Sequence, residues 1–233
     1  MSFFFNILSI FETHGIAFLK ATWTTISLTL VSLIIASLIG LVFAFFKVSH
    51  NRFLRKIADI YIFLVRGMPL IVQIMFLYYG ISSIFVLSDF AAGSIALAIH
   101  TGAYIAEIFR GAIQSIDRGQ TEAARSLGMT YKKSMWHIIL PQAFRRAIPP
   151  LGNQCIITLK DSSLVAYIAV SELFNNALSA QAENYLPFET YFVVGMYYLV
   201  LVLLVTLFLH YVEKRMDTGR TAKTSGSGHT IAS

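Results

Sequence analysis

Five stretches of the chain, about Trp23 to Phe46, Ile57 to Ile81, Phe90 to Ile113, Leu151 to Val170 and Tyr191 to Val212, are mostly apolar and long. Each is close to the roughly 20 residues of helix that cross a bilayer core about 30 Å thick. Their Val, Ile and Phe content would suit strands in water. A lipid-exposed segment, however, must satisfy its own backbone hydrogen bonds, so uninterrupted length dictates helices. With 56% hydrophobic and 13% charged residues and a mean hydropathy of +0.68, the 233-residue chain is too apolar for a water-soluble domain of its size. The expected fold is an all-α integral membrane protein with five transmembrane helices.

Charge sets the side that each loop faces. Lysine and arginine collect in three segments: Lys47, Arg52, Arg55 and Lys56; then Arg110, Arg118, Arg125, Lys132, Lys133, Arg145 and Arg146; then Lys214, Arg215, Arg220 and Lys223. Of the 18 bases only Lys20, Arg66 and Lys160 lie elsewhere, and the loops near Asp89 and from Glu172 to Glu189 carry acids without bases. By the positive-inside rule the basic segments are cytoplasmic, the N-terminus is outside and the C-terminus is cytoplasmic. The net charge of +6 is therefore sorted by loop rather than gathered into a nucleic-acid-binding patch.

Residues 1–15 are expected as an external N-terminal segment, with Phe3, Phe4, Phe5 and Phe11 as an interfacial anchor or a poorly ordered leader. No basic region or small-residue cleavage site precedes the first apolar stretch, which is expected to remain a helix. Residues 16–217 form one transmembrane domain, and residues 218–233 read as a disordered cytoplasmic tail. The single cysteine, Cys155, permits no intramolecular disulfide.

The cytoplasmic loop, about 114–149, is long yet lacks the Gly/Ser-rich composition of a slack linker. Thr121 can N-cap a helix beginning at Glu122, and Gly128 can end it just past Leu127. An amphipathic stretch from Tyr131 to Ile139 then meets Leu140-Pro141, and Pro149-Pro150 mark the start of the fourth span. Taken alone, a basic amphipathic hairpin of this kind can equally lie on the membrane surface.

The loop also carries a specific pattern: Glu122-Ala123-Ala124, Gly128, Ile138 and Leu140-Pro141. It resembles the motif of permease subunits of bacterial ABC importers, in which the first helix of the motif couples to the ATP-hydrolysing subunit. Arg66-Gly67-Met68-Pro69-Leu70 with Gln73, Gly102-Ala103-Tyr104 with Glu107 and Arg110-Gly111, Leu140-Pro141-Gln142-Ala143, and Leu159-Lys160-Asp161-Ser162-Ser163-Leu164 extend the likeness to the polar amino acid branch, over about Trp23 to Asp217. Met68 stands where that branch often has Thr.

The resemblance implies the ABC type I importer permease fold in a bacterial cytoplasmic (inner) membrane. Its implied partners are two copies of an ATPase subunit, a second permease subunit that is identical or paralogous, and an extracytoplasmic substrate-binding protein. The cargo is a polar amino acid, and the chain itself binds no cofactor, ATP and Mg being used by the ATPase. Small side chains at Ala123, Ala124 and Gly128 suit close approach by that ATPase, with Glu122 and Arg125 available for a polar contact at the rim.

Ionisable side chains at mid-bilayer cost about 2.5 to 3.5 kcal/mol on insertion scales, so Arg66, Glu107, Lys160 and Asp161 are candidates for function. On the third span Gly93, His100, Tyr104, Glu107 and Gly111 share one helical face, expected to look inward. On the fourth, Asn153 stacks with Lys160, and Gln154 with Thr158 and Asp161. A zwitterion would find Lys160 or Arg66 for its carboxylate, Asp161 or Glu107 for its ammonium, and Asn153 and Gln154 for hydrogen bonds. Plainer readings stand beside these. Glu107 can pair with Arg110, Arg66 can snorkel to the interface, Lys160 can pair with Asp161, His100 can be a packed, hydrogen-bonded histidine, and Tyr104 can be core. Pro69 implies a kink in the second span.

No Gly-x-x-x-x-Gly-Lys-Ser/Thr phosphate loop occurs, so the energy for transport must come from another subunit. No His/Cys cluster has metal-ligand spacing, and no Ser-His-Asp set is suggested at one membrane depth. An ion channel or another non-ABC membrane transport protein is the alternative; the re-entrant filter or acidic ring of a channel is not evident.

Overall fold

The computed structural model describes residues 2–82 and 87–217. The expected tail, 218–233, lies outside the described residues. Among them the chain contains no strand. It runs as α1 (Ser2–Val48), α2 (Arg52–Gly67), α3 (Leu70–Ser82), α4 (Asp89–Gln114), α5 (Arg118–Ser126), α6 (Tyr131–Ser134), α7 (Leu140–Asp161), α8 (Leu173–Asn184) and α9 (Pro187–Asp217). A π-helical turn, Met135–Ile139, joins α6 to α7, and a 3-10 stretch, Ser162–Ile168, follows α7.

Polar residues do not interrupt α1 because their hydroxyls bond back to its own carbonyls. Thr25 Oγ1 donates to Ala21 O at 3.1 Å, and Thr29, Ser32 and Ser37 do the same four residues back at 2.7 Å. At 1.5 Å per residue α1 is about 70 Å long, more than twice the bilayer core, so it extends well beyond the length needed to cross it. Residues 2–15 are the opening turns of this helix. They pack on the start of α9, with the Phe3 ring 5.7 Å from those of Phe188 and Phe192, and Asn6 Nδ2 donating to Glu189 at 2.9 Å.

The expected second span is broken. Pro69 has no N–H to donate and forces Met68 into an extended conformation, so α2 and α3 meet at 108°. The fourth expected span also differs. Pro149 and Pro150 lie inside α7 instead of starting it, and the residues whose carbonyls they free, Arg145 and Arg146, are exposed. The apolar run then continues past Asp161 as the 3-10 stretch. Among the described residues, three helices are long and apolar enough to cross a membrane, and the α2–α3 pair makes a fourth when counted as one broken span.

Helix α4 forms the centre, packed by α1, α2, α3 and α7. Its tightest crossing is with α1 and depends on glycine. A Cβ on Gly40 would lie 2.4 Å from Ile105 Cγ2, and one on Gly102 would lie 2.9 Å from Ile39 Cγ2. Around this crossing Ala36, Ala44, Ala98, Phe109, Ala143 and Ala147 form a core of mostly small side chains. Toward the other end, Phe18, Ala21, Leu173, Ala177 and Val193 join α1, α8 and α9.

Candidate functional site

Three elements converge on an open cleft of about 410 Å³. The last turn of α2 supplies Arg66; α4 supplies Tyr104, Glu107 and Arg110; α7 supplies Pro150, Asn153 and Gln154. This volume lies within the range of small-molecule sites. Tyr104, Glu107 and Arg110 follow one another at steps of three, which puts them on one side of α4. Thr101 and Thr158, hydrogen-bonded at 3.1 Å, tie α4 to α7 beside it.

Glu107 is the cleft's carboxylate, and cations surround it. Arg110 donates to Oε2 through Nη2 at 2.7 Å and Nε at 3.0 Å; Lys47 Nζ and Arg66 Nη1 each lie 4.0 Å from a carboxylate oxygen. The local pairing of Glu107 with Arg110 is therefore present, and it does not remove Glu107 from the cleft. Arg66 also lies over the Tyr104 ring, its guanidinium carbon 5.1 Å from the centroid. Glu107 faces three cations, of which Lys47 is shared with Asp59, so Arg66 and Arg110 leave the cleft positive charge to offer a carboxylate and Glu107 a partly exposed carboxylate to offer an ammonium. Lys47 was not among the residues picked from sequence. Its position one residue past the apolar stretch marked it only as a topology signal, and Asp59 pairs with it from α2.

The other candidates separate from this group. Lys160 is exposed and Asp161 half-buried at the far end of α7; neither lines the cleft, and among the described residues neither makes an ion pair within 4.0 Å. Adjacent residues on a helix point about 100° apart, which keeps the two side chains from closing into a short ion pair. His100 is buried, with Nδ1 3.3 Å from Gln73 Oε1, as expected for a packed histidine. Gly93 faces Val165, whereas Gly111 is exposed with nothing near its would-be Cβ, so the inward face of α4 ends before Gly111.

A second feature lies in the segment between α4 and α7. Helix α5 begins at Arg118, one turn earlier than Thr121 suggested. Its N-cap is Asp117, which accepts from Gly119 N at 2.7 Å, while Thr121 lines a cavity of about 490 Å³ between α5 and the π turn. The stop at Gly128 is as expected. Gly128 has a φ of +81°, Gly128 N donates to Arg125 O at 3.0 Å and Met129 N to Ala124 O at 3.1 Å, the wrap typical of a glycine-ended helix.

Glu122, Ala123 and Arg125 are exposed on α5, and Leu127 is 84% exposed at its tip. Ala124 is buried against the rest of the loop, Ile138 packs on the core, Leu140 is half-buried, and Pro141 is exposed in the first turn of α7. Leu127 was missed in the sequence. An apolar residue beside a helix stop reads as the last packed position, and only the fold shows that it points away.

Residues 36–218 match the family described as binding-protein-dependent transport system inner membrane component. The chain belongs to this family. It is 38% identical over 181 residues to the glutamine transport system permease protein GlnP of Escherichia coli, covering 76% of this chain and 83% of that one. It is 37% identical over 195 residues to the L-cystine transport system permease protein TcyB of Bacillus subtilis, covering 83% of each. A crystal structure of an amino acid ABC transporter with histidines has a chain that superposes with a TM-score of 0.84 at 38% identity, covering 90% of this chain and 98% of that one. Inward-facing MetNI methionine ABC transporter, with a TM-score of 0.77 at 18% identity, shares the fold.

Membership makes the chain a multi-pass membrane permease and not itself an enzyme. It implies an ATPase partner, a second permease subunit and a substrate-binding protein.

Proposed function

We propose that this permease carries a polar amino acid inward across the bacterial cytoplasmic membrane by alternating access, using ATP hydrolysed with Mg by two copies of a separate ATPase subunit. It spans the membrane five times, α2–α3 counting as one broken span and α7 with its 3-10 stretch as another, with the N-terminus outside and the C-terminus cytoplasmic. A second permease subunit, the same chain or a paralogue, completes the path, and an extracytoplasmic protein delivers the cargo.

The observation carrying the substrate class is the mixed-sign cleft. Arg66 binds the carboxylate, Glu107 takes the ammonium, Tyr104 covers one side, and Asn153 and Gln154 supply amide hydrogen bonds from α7. The relatives support this class, since glutamine, cystine and arginine each appear in a relative's name and all are zwitterions at the α-carbon.

For coupling, the ATPase docks on the exposed face of α5. Glu122, Ala123 and Arg125 meet it, Leu127 enters its surface as an apolar anchor, and Gly128 fixes the turn that presents them. Ala124, Ile138, Leu140 and Pro141 transmit the push into α7 from the inner side. Screening labelled amino acids for uptake by the reconstituted complex tests the substrate class. Saturable, ATP-dependent uptake of a polar amino acid is expected, and uptake of only non-zwitterionic solutes overturns the assignment.

A further inference from the structure

The break in the second span frees two backbone carbonyls, one on buried Val65 and one on exposed Met68. A continuous helix would pair Val65 O with the N–H of residue 69, which is proline; Met68, extended, carries its own carbonyl out of the helix. One side chain takes both. Gln73 Nε2 donates to Val65 O at 2.6 Å and to Met68 O at 2.8 Å, and Gln73 is 5% exposed. Its carbonyl Oε1 carries no hydrogen and can only accept. That oxygen lies 3.3 Å from His100 Nδ1, so hydrogen-bond accounting puts the proton on Nδ1 and makes His100 the donor.

The same face of α4 then meets the end of α2 twice more. One turn beyond His100, the Tyr104 ring lies 5.1 Å from both the His100 ring and the Arg66 guanidinium, and in the next turn Glu107 lies 4.0 Å from Arg66. Arg66 thus projects from an end of α2 whose capping depends on Gln73, and Gln73 is held by the helix that Arg66 faces.

We propose that Gln73 and His100 are a positioning pair for Arg66: His100 donates to Gln73, Gln73 caps the carbonyls freed at Pro69, and the break so fixed sets the guanidinium against Tyr104 and Glu107. The inference rests on the reading of Arg66 as the partner of the substrate carboxylate.

The test uses the complete reconstituted complex in lipid and two replacements at one position. Asparagine carries an N–H at the same number of bonds from Cβ as His100 Nδ1, and glutamine carries it one bond further. His100→Asn is expected to keep uptake within about threefold, and His100→Gln to lose at least about tenfold, with ATPase association unchanged in both. Hydrogen exchange over residues 65–73 should rise at least about tenfold in His100→Gln alone. A packing role predicts the reverse order, because glutamine is nearer histidine in size. Equal exchange in the two variants, or the reverse order, overturns the proposal.

Uptake by Arg66→Ala judges the cleft reading separately: full uptake there defeats the substrate role of Arg66, while the exchange order still judges the pair. If His100→Gln fails to assemble, Gln73→Glu serves instead, since it keeps the length and the acceptor and loses both donors. Unchanged exchange in that variant overturns the proposal equally.

Discussion

Two carboxylates at different places in this chain have opposite surroundings. Glu107, in the cleft, has Arg110, Lys47 and Arg66 within 4.0 Å and stays partly open. Glu172 is fully buried, with no cation within ion-pair distance among the described residues. It caps α8 by accepting from Asn175 N at 2.6 Å and takes the Tyr198 hydroxyl from α9 at 2.9 Å, while the next residue, Leu173, donates through its N–H to Thr25 Oγ1 of α1 at 3.1 Å. Burial pushes the Glu172 carboxyl up to about 6, and its hydrogen bonds only partly offset that. Cations and an opening suit one carboxylate to the cargo role proposed for it. Burial with neutral donors makes the other a joint between three helices.

The comparison breaks most visibly at Glu107. Glu107→Gln keeps the shape and removes the carboxylate that faces Arg110, Arg66 and Lys47; with charge-assisted bonds worth about 1.5 to 3 kcal/mol, uptake should fall about 10- to 100-fold while membrane insertion is unchanged. Uptake within twofold of wild type would place Glu107 with Glu172 as a structural group. Arg66→Ala should lower uptake about tenfold by the same assay, and less than twofold would leave the cleft without its carboxylate partner.

At Glu172 the effect belongs to stability. Its folded pKa of about 6 lies above the ordinary 4.5, so the folded state binds the proton more tightly. The stabilisation is complete below pH 4.5 and is lost as pH rises through about 6, to the extent of about 2 kcal/mol. Glu172→Gln, an isostere of the protonated form, should therefore be more stable than wild type at pH 8 by up to about 2 kcal/mol and equal to it at pH 4.5, with uptake nearly unchanged. Parallel stability curves for the two proteins across that interval contradict the assignment. Smallest of these effects is Tyr198→Phe, which removes one donor to Glu172 and should lower stability by about 1 kcal/mol in a denaturation series.

The contrast also marks what the sequence made legible. Long apolar runs announced helices, and the steps of four and three from His100 through Tyr104 to Glu107 put these residues on one face of α4. Position within an apolar run flagged Glu107 but passed over Glu172, which lies in a segment read as an outer loop. A stripe of Leu173, Ala177 and Ala180 was the available signal for α8, too short to stand out without the helices it packs on. Asn153 and Gln154 reached the cleft while Lys160 and Asp161 on the same helix did not, because a shared face says nothing about how far along the helix a neighbour extends. Prolines misled in both directions: Pro69 breaks its span outright where Gln73 caps the loose carbonyls, and Pro149-Pro150 leave α7 running.

The account depends on an ATPase acting through α5, and Ala123→Arg tests this most directly. Ala123 is exposed on a helix that accepts arginine readily, so the substitution adds bulk at the docking face without disturbing the fold. ATP-dependent uptake by the reconstituted complex should be abolished and the ATPase subunit should fail to co-purify, while the permease still inserts. Normal uptake with the ATPase bound would contradict the account.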